Sequence, residues 1–269
     1  GDHRDLHLSI RRQRQMCIRD RNTTMRNILF LLFVSLSFSS YSQEDTSGEN
    51  EKKSSIVPEY FKIPGYLKLN FGLSTLSDVH ASMNIDALSS RSFDLYYSKP
   101  MFLSDDFSFN PGIGISSDKL SFKNDVILKN TTTNDGINQI VIDTLDFSPK
   151  KNSLKGTYIM VPLDFKYYFG SGKFDKGRFF IGIGGEIGLL LNSSTKVKNK
   201  VNNNMTHSKI KDDFGLNQLK YGISLQVGSG NFNLYYKMNL SELFEKNNLP
   251  LNIDKNPTLN KIGISFSIF

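Results

Sequence analysis

Eight segments of the chain alternate between apolar and polar residues, and this period of two limits the fold more than any other feature. In one of them Leu163 and Phe165 are apolar, and each is followed by a charged residue, Asp164 or Lys166. Successive side chains of a β-strand point to opposite faces, whereas a helix would scatter the two classes around its axis. The segments are residues 66–74, 91–98, 107–116, 157–169, 178–191, 219–228, 231–238 and 259–269. The pattern therefore predicts an all-β chain.

Two kinds of fold present such strands. A water-soluble barrel or sandwich would place the apolar residues inside, and a membrane barrel would place them outside. The polar phase carries many glycines, at positions 72, 112, 114, 182, 184, 188, 222 and 263. A narrow barrel interior requires small residues, whereas a solvent-facing sheet would carry larger polar ones. The glycines therefore favour the membrane barrel.

The lengths of the connections distinguish the two folds more clearly. Connections alternate between long and short along the chain: 75–90, 117–156, 192–218 and 239–258 are long, and 99–106, 170–177 and 229–230 are short. In an up-and-down barrel, alternate connections lie at opposite ends, and outer-membrane barrels have long external loops and short periplasmic turns. A sandwich gives no reason for this alternation. We expect an eight-stranded antiparallel up-and-down transmembrane β-barrel in the cell outer membrane.

The first part of the chain has the pattern of a secretory signal. Arg26 precedes an apolar core at 28–38, and the small residues Ser40 and Ser42 follow it. The core is too short for a transmembrane helix, which needs about 20 apolar residues. The expected organisation is a non-native upstream extension at 1–24, a signal peptide at 25–42, a flexible N-terminal leader at 43–65 and the barrel at 66–269.

The net charge does not indicate a nucleic-acid partner once it is located. The chain carries +7, but the Arg-rich residues 1–24 together with Arg26 contribute four of these positive charges and leave +3 for the rest. An Arg-rich nucleic-acid arm is the alternative interpretation of the extension. Cys17 is the only cysteine, so the chain cannot form an internal disulfide.

Charged residues on the polar phase are the main candidates for a site. Eight strands make a barrel just wide enough to be filled by side chains, and buried ions must be paired. We expect a structural polar plug in the lumen, with five lysines and three carboxylates leaving an excess of two positive charges. A selective pore or ligand channel is the alternative. The predicted plug residues are Lys68, Asp94, Asp164, Lys166, Glu186, Lys220, Lys237 and Lys261.

The residues do not indicate an enzyme. His80 and His207 both fall in predicted external loops, and His80 has Ser77, Asp78 and Ser82 near it in sequence. Such a composition allows a Ser/His/Asp arrangement at the barrel rim, but sequence proximity does not establish its geometry. Two histidines are also too few for a zinc site. We therefore predict no catalytic residue, no cofactor and no metal site.

From about Tyr66 to Phe269 the chain resembles the PorT-type outer-membrane β-barrel family of Gram-negative bacteria. The resemblance is carried by TYIMVPLDFKYYFGSGKFDKGRFFIGIGGEIGLLL at 157–191 and YGISLQVGSGNFNLYYKMNL at 221–240. It implies a membrane-anchored structural or interaction module with a part in type IX secretion or surface-protein assembly. The implied partners are outer-membrane lipids, the barrel insertion machinery, and a secretion-system or surface protein. A small pore or ligand-binding barrel is the alternative function.

The final segment, KIGISFSIF, resembles the assembly signal that such barrels present to the insertion machinery. Phe266 and Phe269 are its expected aromatic residues. Phe266 belongs to the apolar phase, whereas Phe269 falls on the lumen phase. In the longest loop, residues 119–128 and 137–145 alternate again and predict a hairpin above the membrane. Binding is expected at this loop and at 192–218.

Overall fold

The computed structural model describes residues 65–132, 138–174, 177–201, 204–251 and 253–269. The predicted extension, signal peptide and leader, which cover 1–65, lie almost wholly outside the described residues. Among the described residues, no helix is long and apolar enough to cross a bilayer.

The described residues contain twelve strands, and eight of them close into a barrel. In chain order they are β1 Tyr66–Ser77, β2 Arg91–Ser98, β3 Met101–Phe102, β4 Phe107–Ser121, β5 Val126–Thr132, β6 Asn138–Thr144, β7 Lys151–Phe169, β8 Phe179–Val201, β9 Asn204–Lys211, β10 Leu219–Ser229, β11 Phe232–Glu242 and β12 Thr258–Ile268. The barrel order is β1-β2-β4-β7-β8-β10-β11-β12, all antiparallel. Pairing of β12 with β1 closes it, with Leu67 opposite Ile268. The predicted eight-stranded antiparallel barrel is confirmed.

The apolar phase of the barrel strands faces outward. Ile183 and Leu225 are 59% and 52% exposed, whereas Asn70 and Asp94 on the polar phase are fully buried. On β7 the outward apolar residues run from Ile159 to Phe169, about 33 Å along a strand at 3.3 Å per residue. With the usual strand tilt this corresponds to a height of about 25 Å, which matches the apolar band of outer-membrane barrels.

The connections at the two ends of the barrel differ in length. The short connections lie at one end, the short-turn end, and the long connections lie at the other, the long-loop end. At the long-loop end β4, β7 and β8 continue past the apolar band further than the sequence pattern predicts. Part of the predicted loop 192–218 is therefore strand, with β9 pairing along the extended β8.

A hairpin forms inside the longest loop, as the alternating pattern indicates. Its arms are β5 and β6, with Val126 opposite Thr144. The first arm begins later than predicted, because residues 119–121 belong to β4. This hairpin and its neighbours build a small apolar core above the barrel.

Glycines of the polar phase let large side chains fill the interior. Gly72 and Gly263 lie opposite each other on β1 and β12. A Cβ at Gly72 would collide with the hydroxyl of Tyr235 and lie 2.7 Å from Ser92 Oγ. Tyr235, 3% exposed, therefore occupies space that only glycine leaves free. Such aromatic cover over a strand glycine also helps to set the register of a sheet.

Candidate functional site

The barrel interior collects the charged residues that the sequence singled out. All eight are buried, none more than 5% exposed: Lys68, Asp94, Asp164, Lys166, Glu186, Lys220, Lys237 and Lys261. A further carboxylate, Asp118 on β4, is 4% exposed and joins them. Sequence reasoning missed Asp118 because the predicted strand ended at residue 116. The inward phase of β4 in fact continues past that point.

Lys237 lies at the centre of this network. Its ammonium Nζ is 2.9 Å from Asp94 Oδ2 and 2.7 Å from Glu186 Oε2. It also donates to the Tyr96 hydroxyl at 3.0 Å. These contacts join β11 to β2 and β8 through the interior. Because a buried ammonium needs both opposite charge and hydrogen-bond acceptors, Lys237 is well compensated.

The ion network extends from there toward the long-loop end. Lys261 Nζ lies 2.6 Å from Asp118 Oδ1 and donates to Ser116 Oγ at 3.0 Å. The Ser116 hydroxyl donates to Asp94 Oδ1 at 2.7 Å, which connects this layer to Lys237. Lys220 pairs with the second carboxylate oxygen of Asp118. One carboxylate therefore holds two lysines from different walls of the barrel.

Toward the short-turn end a separate pair crosses the interior. Lys68 Nζ on β1 lies 2.9 Å from Asp164 Oδ2 on β7 and donates to Gln226 Oε1 at 2.8 Å. The Ser224 hydroxyl donates to Asp164 Oδ1 at 3.4 Å. A Cβ at Gly184 would collide with Asp164, so this pair also depends on a glycine.

Lys166 differs from the other four interior lysines. It forms no ion pair with a carboxylate of the described residues. Its ammonium donates to the Tyr66 hydroxyl at 3.1 Å and lies 4.5 Å from the centre of the Phe180 ring. Aromatic faces attract cations when water is excluded. With Asp118 counted, five lysines meet four carboxylates, so the interior carries one excess positive charge rather than two.

An apolar cluster closes the long-loop end of the interior. It draws on the loops and on the extended strands and includes Met83, Leu128, Phe214 and Phe244, each at most 1% exposed. Beneath it a cavity of about 20 Å³ is lined by residues that include Asp118. A cavity of this size holds about one water molecule. The loops therefore fold into a packed cap over the ion network.

Aromatic rings cover the short-turn end. The Phe269 ring centre lies 4.8 Å from that of Tyr66 and 5.2 Å from that of Phe174. The Phe174 ring, between β7 and β8, also lies 4.9 Å from the ring of Phe102 on β3. Tyr66 is 2% exposed, so Phe269 packs across the opening on the lumen phase.

Of the two predicted assembly-signal residues, Phe266 is 40% exposed on the outer wall, where its ring lies 5.5 Å from Phe232. Phe269 lies instead at the opening. Their role in assembly remains a prediction, since no contact inside the folded barrel reports on the path of insertion.

The described residues do not bring either histidine into an ion pair with a carboxylate. His80 Nδ1 lies 2.8 Å from Ser82 Oγ and accepts from the Ser82 backbone N–H, which is a local capping contact at a three-residue 3₁₀ helix. No carboxylate of the described residues forms an ion pair with His80, and His207 lies on β9 opposite Lys198. Within the described ranges, no three His, Cys, Asp or Glu residues are grouped to hold a metal ion.

Several solved outer-membrane proteins are similar to this chain at low identity. The N-terminal β-barrel domain of Pseudomonas aeruginosa OprF is 12% identical, with 76% of this chain and 98% of that chain covered and a TM-score of 0.25. Ail, the attachment invasion locus protein of Yersinia pestis, is 12% identical over 76% and 97%, with a TM-score of 0.31. A porin variant of Rhodopseudomonas blastica is 9% identical over 76% and 98%, with a TM-score of 0.18. None of the curated proteins matches the chain.

A family match agrees with the barrel geometry. Residues 24–245 match the model of the outer membrane protein beta-barrel domain. A barrel in the outer membrane requires an apolar wall toward lipid and a polar interior, and this barrel has both. The protein therefore lies in the outer membrane, with its long loops extracellular and its short turns periplasmic, and the chain belongs to the outer membrane protein beta-barrel domain family.

Proposed function

We propose that the protein is a non-enzymatic, non-conducting outer-membrane anchor that presents its folded extracellular loops to a partner. The observation that carries this proposal is the filled interior, in which lysines and carboxylates from different walls pair with each other. An apolar cluster closes this interior on one side and aromatic rings close it on the other. A water-filled path for ions would have to break several buried ion pairs.

The extracellular part has the properties of a platform rather than of flexible loops. It has its own buried apolar core, and β4, β7 and β8 carry the sheet above the apolar band. Binding residues commonly lie on loops that a rigid scaffold positions. An interaction role therefore suits this end better than transport does.

The resemblance to PorT-type barrels supports a finer proposal, a part in type IX secretion or surface-protein assembly. In that case a secretion-system or surface protein would be the partner, and the barrel insertion machinery would install the protein. In a bacterium that encodes this chain, its deletion should leave surface proteins in the periplasm, and complementation should restore them. Normal surface display in the deletion strain would refute this role while leaving the anchoring function in place.

Conductance in planar bilayers tests the sealed interior. We expect the wild-type protein to insert without a steady channel, because buried ion pairs cross the interior from wall to wall. The triple variant D94S/E186S/K237S removes only the central charges, so it should also give no steady channel while the apolar cluster and the aromatic rings close the two ends. A steady ohmic current from the wild-type protein would refute the proposal and support the alternative, a small pore or ligand-binding barrel.

A further inference from the structure

Six basic residues lie together on the outer face of the barrel, just above the lipid-facing band. We call this set the outer basic face; it consists of Arg91, Lys119, Lys151, Lys155, Lys196 and Lys198. Each belongs to the outward phase of its strand. For example, Lys119 lies on the same face of β4 as Ile115, which is 48% exposed on the lipid side.

Strand pairing brings these cations directly opposite one another. Arg91 on β2 pairs with Lys119 on β4, and Lys119 pairs with Lys155 on β7. One step further from the membrane, Lys151 pairs with Lys198 on β8. Directly opposed residues have Cβ atoms about 4.5–5.5 Å apart, and like charges at that distance destabilise a sheet.

The outer basic face lacks internal compensation. None of its six members forms an ion pair with a described carboxylate, although four of the five interior lysines do. Lys119 lies four residues beyond Ile115 and above the apolar band. Burial, together with the neighbouring charges of Lys151 and Arg91, lowers the pKa of Lys119 to about 8. The repulsion between these cations costs little stability only where an external anion neutralises them.

The position of the face indicates the source of that anion. Lys155 lies four residues beyond Ile159 on β7, which is about 13 Å along the strand and less along the membrane normal. This is the level of the headgroups of the outer leaflet. A protein that faced a soluble anion would have no reason to place its cations in continuity with the lipid-facing wall.

Two surface features beside the face fit the two parts of a lipid. Below it, the outward residues of the same strands are apolar and exposed, among them Phe93 on β2, Ile115 on β4 and Phe165 on β7. Above it, a polar recess of about 290 Å³ adds Lys123 and Lys150 to Lys151. The Asp125 carboxylate at that recess already accepts from the Ser148 hydroxyl at 2.6 Å.

We infer that the outer basic face binds the phosphate groups of an anionic glycolipid of the outer leaflet, of the lipid A class. The acyl chains would lie along the apolar wall of β2, β4 and β7 below the face, and the phosphorylated sugar would meet the rows of cations. Such a lipid neutralises the opposed charges that the protein leaves uncompensated. The inference depends on the outer-membrane location and not on the proposed anchoring role.

Native mass spectrometry of the folded protein in neutral detergent, with bisphosphorylated lipid A as the probe, tests this inference. The variant R91Q/K119Q/K155Q should bind about a hundredfold more weakly than the wild type, since each basic residue at an anionic surface contributes roughly a factor of five. The control K99Q/K246Q/K255Q changes the net charge equally at exposed positions elsewhere and should bind like the wild type. Heat-dependent mobility on gels shows that each variant is folded.

Two further arms identify the chemistry. Lipid A without its phosphates should bind the wild type as weakly as the triple variant binds the intact lipid. Inorganic phosphate at millimolar concentration should not displace the lipid. Three results would each overturn the inference: equal binding by the triple variant and its control, equal binding of lipid A with and without its phosphates, or displacement of the lipid by millimolar phosphate. None of these results would bear on conductance, which tests the anchoring proposal separately.

Discussion

Lys237 and Asp94 form a 2.9 Å ion pair across the barrel interior, although they lie 143 residues apart in the chain. The apolar wall of the barrel and the lipid outside it offer neither charged group a polar partner, so both depend on partners in the interior. The pair therefore couples the folding of β2 to that of β11.

Removing the ammonium of Lys237 should destabilise the barrel strongly. Lys237→Met leaves Asp94 and Glu186 buried without their shared cation, and breaking a buried pair in this way costs about 3–5 kcal/mol. Urea unfolding in lipid vesicles, followed by gel mobility, measures this loss. Lys246→Met, at an exposed position, is the matched control and should have no effect. Equal stability of the two variants would show that the network contributes little.

Two adjacent glycines provide a sharp test of the interior packing. A Cβ at Gly184 would collide with Asp164 and lie 2.8 Å from Ser224 Oγ, whereas one at Gly185 would meet only Gly222 O at 3.9 Å. Gly184→Ala should therefore cost about 1–3 kcal/mol through overpacking. Gly185→Ala should be neutral or slightly stabilising, because Gly weakens a strand interior. The same unfolding assay compares them, and the reverse order would contradict the assignment of faces.

A charge on the outer wall tests the membrane position. Ile183 is 59% exposed on the lipid-facing side. Arg at this site should cost about 2–4 kcal/mol if it lies near the bilayer midplane. Met205→Arg, on β9 above the band, should be tolerated. If vesicle unfolding gave the same free energy for both variants, Ile183 would not face lipid.

Relief of like-charge repulsion should raise stability when no anionic lipid is present. In neutral detergent, R91Q/K119Q/K155Q removes two directly opposed cation pairs, each worth roughly 0.2–1 kcal/mol. We therefore expect a higher unfolding temperature for this variant than for the wild type, measured by circular dichroism. With bisphosphorylated lipid A present, the order should reverse. A lower unfolding temperature for the variant in neutral detergent would mean that these cations already have partners within the protein.

The terminal aromatic residues should affect assembly more than final stability. Phe266 lies on the outer wall and Phe269 packs on Tyr66. If they form the assembly signal, Phe266→Ala and Phe269→Ala should slow insertion into membranes that contain the insertion machinery by several fold. Insertion into plain lipid vesicles should change much less. The rate at which protease resistance develops measures both, and equal slowing in the two membranes would indicate a packing effect only.

Within the membrane, sequence reasoning predicted the fold well because the bilayer imposes a strict pattern. Each predicted strand corresponds to one barrel strand, and Leu163 and Asp164 lie on the faces that their alternation indicates. Above the membrane the outward phase becomes basic, as at Lys119 and Lys155, so the apolar alternation disappears although the strands continue. Asp118 and β9 were missed for this reason.

Contacts between distant loops could not be predicted from the sequence pattern for a different reason. Phe214 and Phe244 are both fully or almost fully buried, yet no periodicity marks them because they lie in irregular segments. The sequence also does not show which residue each interior ion pairs with. Register places Lys237 on the inward phase, but only the closed geometry decides that it meets Asp94 and Glu186.

Closure of the barrel depends on two strands from opposite ends of the described chain, with Leu67 opposite Ile268. The entropic cost of closing a loop is greatest for such a distant pairing. Contacts offset this cost only when the intervening strands are already in place. A nascent chain that has crossed the inner membrane without β12 would expose the open edges of β1 and β11, which are prone to aggregate. The barrel strands must therefore stay unpaired until β12 has been exported as well.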